Sequence, residues 1–460
     1  MDRPLWLAQE IREVIGKPIA DTTNATGVAI DSRLVKHGDI FFGLQGEVTN
    51  GAQHAVDALN NGAVLCIVDQ LPENAAQFLG NKIILVPDAY ETLLKFARFS
   101  RQRMQGKVIA VTGSVGKTST KAMLSLAFSA QGETFVSQGN FNNHFGLPLC
   151  LSQMPASTEY GIFELGMNAA GEIRWLAELA QPHVSIITTV DAVHLEAFSS
   201  VSGIAEAKSE IFEHTKQNGF AILNADNPYY PICQNKAQQY GLQIYTASLA
   251  SQQASIFLHS ATANNESIEI VASCFGKILN YNIATTSEHY IINSLLTLAA
   301  VYAAGAELEC AALNLSSFSP LQGRGQVISI AERNIILIDE SYNASPIAVK
   351  AALHSTKNHS NRRKIAILGD MKELGKAEED LHISLCDDII FNKIDKVFTV
   401  GKLMQKLYER LPNELKGAHA DTAQEMSLKI KEYAQDNDVI LVKGSYSMQM
   451  KKVVDAIINN

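Results

Sequence analysis

Lys117 and Thr118 stand in "VIAVTGSVGKTSTKAML", residues 108–124, where an apolar run gives way to a glycine turn and then to a helix-compatible stretch. Gly113 and Gly116 lack a Cβ, so the backbone N–H groups around Ser114 and Val115 can curl about phosphate oxygens. Lys117 is then placed to reach the β- and γ-phosphates, Thr118 offers a hydroxyl to Mg2+, and the helix N-terminus adds its positive end. The strict G-x-x-x-x-G-K-[ST] motif needs glycine where this chain has Val111, and the spacing here is the shorter G-x-x-G-K-T. The competing account is a glycine turn capped by hydroxyls, with Lys117 in solvent. The loop predicts a nucleoside triphosphate and leaves the acceptor open.

Two more groups could meet that triphosphate. Glu164 ends "YGIFEL" and His194 lies in "TTVDAVHLEAF", each at or just past a strand-like run, on the edge where open α/β sheets bind ligands. With Thr118 they could hold one or two Mg2+ ions, although Mg2+ prefers oxygen to imidazole. Taken singly, Glu164 reads equally as a helix cap and His194 as a loop histidine. Lys208, in "SGIAEAKSEIFEHT", falls on an amphipathic pattern and by itself reads as a solvated lysine, with Glu206 and Glu210 as surface partners.

The elements that must position these groups are legible as apolar runs: 63–68, 82–86, 107–112, 160–165, 184–189, 220–224, 335–338, 364–369, 396–400 and 438–444. Continuous rather than alternating runs predict mostly parallel strands buried on both faces and covered by helices. The stretch 251–285 alternates and predicts an antiparallel extension of the central sheet. With 460 residues the chain exceeds one core. Pro87 and the linker-like "SSFSPLQGRGQ" divide it into three α/β domains, 1–86, 87–317 and 318–460. The third is expected to be Rossmann-like. A net charge of -9 argues against a nucleic-acid partner. No apolar run reaches bilayer length, which argues against membrane insertion, and the first residues read as an amphipathic helix rather than a leader. Six scattered cysteines without a C-x-x-C pair point to a reducing cytoplasm rather than to disulfides or zinc.

"TGSVGKTS", "FELGMN", "DAVHLEAF" and "EAKSEIF", in this order, resemble the Mur ligases, ATP-dependent amide-forming enzymes of peptidoglycan synthesis. The likeness covers nearly the whole chain. It implies a UDP-sugar-binding first domain, a central ATPase domain and a C-terminal domain that receives the amine. "GNFNNHFGLPL", "IDESYNASP" and "LGDMKELG" are similar to the branch that adds D-Ala-D-Ala to a UDP-MurNAc-tripeptide. By this resemblance Gly113, Ser114, Val115, Gly116, Lys117, Thr118 and Ser119 bind the ATP phosphates. Glu164 and His194 become metal ligands. Lys208 becomes a carbamate, formed with CO2, that supports the second Mg2+. Asn293 contacts adenine, Arg324 the γ-phosphate and Asp339 the ribose. Ser32 and Arg33 hold the UDP part, while Asn142, Asn143 and Asn343 line the substrate side. Tyr446 in "KGSY" stands where the family commonly has arginine.

The resemblance further implies an acyl-phosphate mechanism, with domains that close around the intermediate and a monomer as the working unit. Its rivals are a sister Mur ligase adding another amino acid, a folylpolyglutamate synthetase, and a nucleotide switch that performs no ligation.

Overall fold

A computed structural model describes residues 4–46, 49–193, 195–264, 267–359 and 361–459. Its strands form three sheets, each faced by helices on both sides. The first is parallel, in the order Gly27–Ala29, Asp39–Gly43, Leu65–Val68, Ile83–Leu85. Trp6, Ile11, Leu93 and Phe96 fill one face, and Ala55 and Ala58 of the helix Ala55–Asn60 pack on the other. The expected N-terminal amphipathic helix is Ala8–Ile15, its start fixed by the Glu10 carboxylate accepting from the Leu7 N–H at 2.9 Å.

The central sheet has nine strands. Seven are parallel: Thr134–Val136, Tyr160–Glu164, Lys107–Thr112, Val184–Ile187, Phe220–Asn224, Gln243–Ser248 and Ile256–Ala263. Ile268–Cys274 and Lys277–Ile283 then continue it antiparallel, as the alternation within 251–285 predicts. Along the last strand Leu279, Tyr281 and Ile283 are buried while the residues between them are exposed. One face of the sheet is covered by the helices Lys117–Ser129, His289–Ala303 and Leu308–Leu315. The other is covered by Gly146–Ser152, Glu172–Ala180, Val201–Ser209 and Tyr230–Gln239.

The helix Ala89–Arg103 follows Pro87 and is capped by the Asp88 carboxylate, which accepts from the Glu91 N–H. Leu93 and Phe96 join the first core, whereas Leu94 and Ala97 join the central one. The chain therefore passes between these units along a helix rather than at a residue. Phe318 still belongs to the central core, and a turn with Gly323 and Gly325 at φ 73° and 91° leads onward.

The third sheet runs Gln326–Ile330, Ile335–Glu340, Val439–Lys443, Lys364–Gly369, Lys396–Val400, Lys416–Ala420, antiparallel only at the first pair. Its two covered faces make it the doubly wound unit expected of a Rossmann-like fold.

All six cysteines are free: Cys66, Cys150, Cys233 and Cys274 are buried, Cys310 and Cys386 partly exposed. Among the described residues no helix is long and apolar enough to cross a membrane.

Candidate active site

Strand register brings the chemistry together. Glu164 pairs with Val111 and Ile187 with Thr112, so an acid and the segment 188–191 flank the point where the central strand opens into residues 113–116. That segment braces the loop. The Thr188 hydroxyl donates to the Val115 carbonyl at 2.6 Å, the Ser114 N–H donates to the Thr189 carbonyl at 2.6 Å, and the Ser114 hydroxyl donates to the Asp191 carbonyl at 3.1 Å. Gly116, at φ 87°, is the N-cap of Lys117–Ser129, and a side chain there would press to 2.9 Å from the Asn293 amide oxygen. Only glycine combines that backbone with that closeness. Asn293, expected at the adenine, is buried beside the loop itself.

Lys117 curls back so that Nζ donates to the carbonyls of Gly113 at 2.6 Å and Ser114 at 3.4 Å. Burial lowers its pKa, the Glu164 carboxylate raises it, and the Arg324 guanidinium lowers it again, the net shift being downward. Arg324 is thus within electrostatic reach of the loop. Glu164 is 2% exposed. Burial pushes its carboxyl up, but Lys117, Lys121 and hydrogen bonds from Asn142 and Thr118 outweigh that and hold it below the ordinary value.

Lys121, one turn beyond Lys117, escaped the sequence reading. It is buried, with Nζ 2.8 Å from the Gly139 carbonyl and 3.4 Å from Glu164 Oε2. Its signal was a second lysine on an otherwise apolar helix face.

Lys208 is not the solvated lysine its helical pattern suggests. It is 2% exposed, and burial first and Lys117 second lower its pKa well below the ordinary lysine value. No carboxylate comes within ion-pair distance of it among the described residues. Glu210 departs from a surface role too: it is buried and its carboxylate accepts from the Gly171 N–H at 2.9 Å, at the start of Glu172–Ala180. His194 lies outside the described residues, and among those described no three His, Cys, Asp or Glu side chains form a metal-sized cluster.

The substrate-side expectations divide. Asn142 donates to Glu164 Oε1 at 3.0 Å, joining the loop 139–143 to the acid. Asn143 accepts from the Phe145 and Gly146 N–H groups, just before the helix Gly146–Ser152. The exposed Asn343 lends its carbonyl to Lys443 Nζ at 2.9 Å, and Lys443 also meets Glu340 Oε2 at 3.1 Å. Asp339 is the residue expected at the ribose. It is fully buried and accepts from the Gly323 and Ser341 N–H groups, each at 3.1 Å, which makes it the support of the interdomain turn. In the first unit Arg33 folds onto its neighbour Asp31, at 2.6 and 2.9 Å, and the Ser32 carbonyl accepts from Asn61.

A phosphate loop at the carboxyl edge of a wide parallel sheet, an adjoining α/β unit and a third reached through a glycine turn define a three-unit, ATP-dependent enzyme. The chain belongs to the Mur ligase family. The family's catalytic-domain model matches residues 24–100, its middle-domain model 111–301 and its glutamate-ligase-domain model 323–446. A UDP-N-acetylmuramoyl-tripeptide–D-alanyl-D-alanine ligase of Rickettsia prowazekii is 34% identical over 98% of this chain and 99% of its own. Its Bacillus subtilis counterpart is 32% identical over 99% of this chain and 98% of its own. Among solved structures, MurF from Acinetobacter baumannii superposes with a TM-score of 0.87 at 26% identity, covering all of both chains. A Thermotoga maritima MurF ligase in complex with ADP gives 0.81 at 24%, covering 97% of this chain and 98% of its own.

Proposed function

We propose that this chain joins D-Ala-D-Ala to the terminal carboxylate of UDP-MurNAc-tripeptide at the expense of ATP, giving UDP-MurNAc-pentapeptide, ADP and phosphate for peptidoglycan synthesis. The observation that carries this is end-to-end similarity to the ligases that bear this reaction in their name, at 34% and 32% identity. The rivals fit less well. A diaminopimelate-adding sister enzyme superposes with a TM-score of 0.54, and a folylpolyglutamate synthetase from L. casei with 0.58 over 81% of this chain.

A carboxylate is a poor acyl donor because an oxide leaves badly. Transfer of the γ-phosphoryl makes an acyl phosphate; the dipeptide amine then attacks its carbonyl, and phosphate departs as the amide forms. The loop N–H groups and the N-terminus of Lys117–Ser129 receive the triphosphate. Lys117 exchanges its bonds to Gly113 and Ser114 for phosphate oxygens, and Arg324 approaches the transferring group from the third unit. Preorganised donors of this kind are each worth roughly 10²–10³ in rate.

Glu164 Oε2 is buried and accepts no hydrogen bond, with only the Lys121 ammonium at ion-pair distance, 3.4 Å, so it retains lone pairs that suit a cation. Glu164, Thr118 and His194 would hold Mg2+, which neutralises charge as two anions are brought together. Lys208 suits carbamylation: burial favours the neutral amine, the form that attacks CO2, and Lys117 lies within electrostatic reach of the anion produced. Asn293, whose amide lies beside Gly116, is our choice for the base, and Ser32 and Arg33 remain our choice for the uridine diphosphate. We infer a monomer as the working unit. The free thiols suit the cytoplasm.

Phosphate release from ATP should require both UDP-MurNAc-tripeptide and D-Ala-D-Ala. Release with D-Ala-D-Ala alone, or with neither, excludes the ligase.

A further inference from the structure

Tyr342, in the "SYNASP" turn, touches parts of the molecule that lie far apart in sequence. The Arg324 guanidinium carbon is 3.9 Å from its ring centroid. Its hydroxyl accepts a hydrogen bond from the Asn140 side chain. Its ring faces Tyr446, centroids 5.5 Å apart, and its N–H donates to the Gly323 carbonyl at 3.0 Å.

Each contact leads onward. The Arg324 carbonyl accepts from the Tyr290 hydroxyl, and Ser119, on the phosphate-loop helix, is close enough to that hydroxyl to lower its pKa. Asn140 belongs to the loop 139–143, which Lys121 holds at Gly139 and Asn142 joins to Glu164. One aromatic side chain therefore lies between the cation that approaches the nucleotide and the loop that faces the peptide acid. Stacking suits this task. The ring attracts the guanidinium through its π-face, so Arg324 is oriented without spending an N–H group. Among the described residues no side-chain hydrogen bond engages those N–H groups, which leaves all of them for phosphate oxygens.

We propose that Tyr342 is a positioning residue that seats Arg324 and the substrate loop together, so that UDP-MurNAc-tripeptide and nucleotide each strengthen the other's binding. This rests on the ligase reading above. Neither ligand need react for the coupling to appear, because linkage is a property of binding.

The test is titration calorimetry on the full chain. Affinity for the β,γ-imido analogue of ATP is measured with and without saturating UDP-MurNAc-tripeptide. The unmodified protein should show at least fivefold coupling. Tyr342→Phe keeps the ring and loses the Asn140 bond: coupling should fall below twofold while nucleotide affinity alone stays within twofold. Asn140→Ala should do the same, and the double variant should be no worse than either. Tyr342→Leu should also weaken nucleotide binding alone, about fivefold. A merely structural role would lower melting temperature and every affinity together. Absence of coupling in the unmodified protein, or its survival in a folded Tyr342→Phe or Asn140→Ala, overturns the proposal. Failure of the unmodified protein to bind UDP-MurNAc-tripeptide at all defeats the ligase reading instead.

Discussion

At the scale of single residues, Lys208 and Lys121 show where side-chain identity stops being informative. Lys208 looks solvated by helical period, and only the family resemblance singles it out. Its burial comes from the packing of Val201–Ser209 against Tyr230–Gln239, which no local pattern announces. If it is carbamylated, stripping CO2 from the buffer should lower turnover and bicarbonate should restore it. Lys208→Ala should abolish turnover and be partly rescued by acetate; indifference to both treatments counts against the carbamate. Lys121 is a different case, a counter-ion for Glu164. Lys121→Met leaves Lys117 as the remaining cation beside that buried carboxylate, so the cost should lie near 3 kcal/mol, the low end for a broken buried pair. Adding Glu164→Gln should recover most of it in denaturant melts, and a double variant as unstable as the single argues against the pairing.

At the scale of elements, the strands foreseen from apolar runs all exist, because two-sided burial in a parallel sheet writes itself as an unbroken run. Gly27–Ala29, Thr134–Val136, Gln326–Ile330 and Lys416–Ala420 were not foreseen, and each lies at the edge of its sheet, where one side needs no partner. Asp39–Gly43 and Gln243–Ser248 were missed as well, although both are interior strands. The helix His289–Ala303 is apolar nearly all round because it is packed among the sheet, Lys117–Ser129 and Leu308–Leu315.

One strand carries a pH-dependent clasp. His183 Nδ1 accepts from the Val108 N–H at 2.9 Å, which requires an unprotonated nitrogen, and burial with help from Arg101 brings its pKa down to about 4. Because the folded value is depressed, its contribution is complete above the unfolded value near 6.5 and is lost as pH falls toward 4. Over about 2.5 units, at 1.36 kcal/mol each, the loss is at most ~3 kcal/mol, and solvent screening of the half-buried ring brings it to about 1–2 kcal/mol. Stability measured from pH 7 to 4 should fall less steeply in His183→Gln; an unchanged slope rejects this assignment.

At the scale of the molecule, the first and second units are joined by a shared helix and by side chains such as Trp6, whose Nε1 donates to the Ser152 carbonyl at 2.8 Å. The third is attached differently, through the turn at Gly325 and by polar contacts such as Asn358 Nδ2 to the Thr286 carbonyl at 2.9 Å. From that asymmetry we propose that the third unit is the one that moves. The linker composition around 316–326 announced the joint, whereas the buried carboxylate of Asp339 that braces it was invisible until residues 323 and 341 were brought beside it. At Gly325 a Cβ would meet Glu340 Oε1 and the Tyr290 hydroxyl at 3.2 Å, at a φ that only glycine accepts easily. Gly325→Ala should therefore lower kcat about tenfold while leaving the affinity for UDP-MurNAc-tripeptide within twofold, since in the central unit the added methyl meets the Tyr290 ring rather than a residue of the substrate side. Equal kcat would show that the joint tolerates strain.

The thiols supply a way to watch that joint. Burial drives Cys66 and Cys274 to about 12 and Cys150 to about 11, and Cys233 is buried as well, so alkylating dyes find little thiolate at those four positions. The two partly exposed thiols fall one on the central unit, Cys310, and one on the third, Cys386. The unaltered chain thus carries its own pair of attachment points for a donor and an acceptor fluorophore, one on each side of the joint.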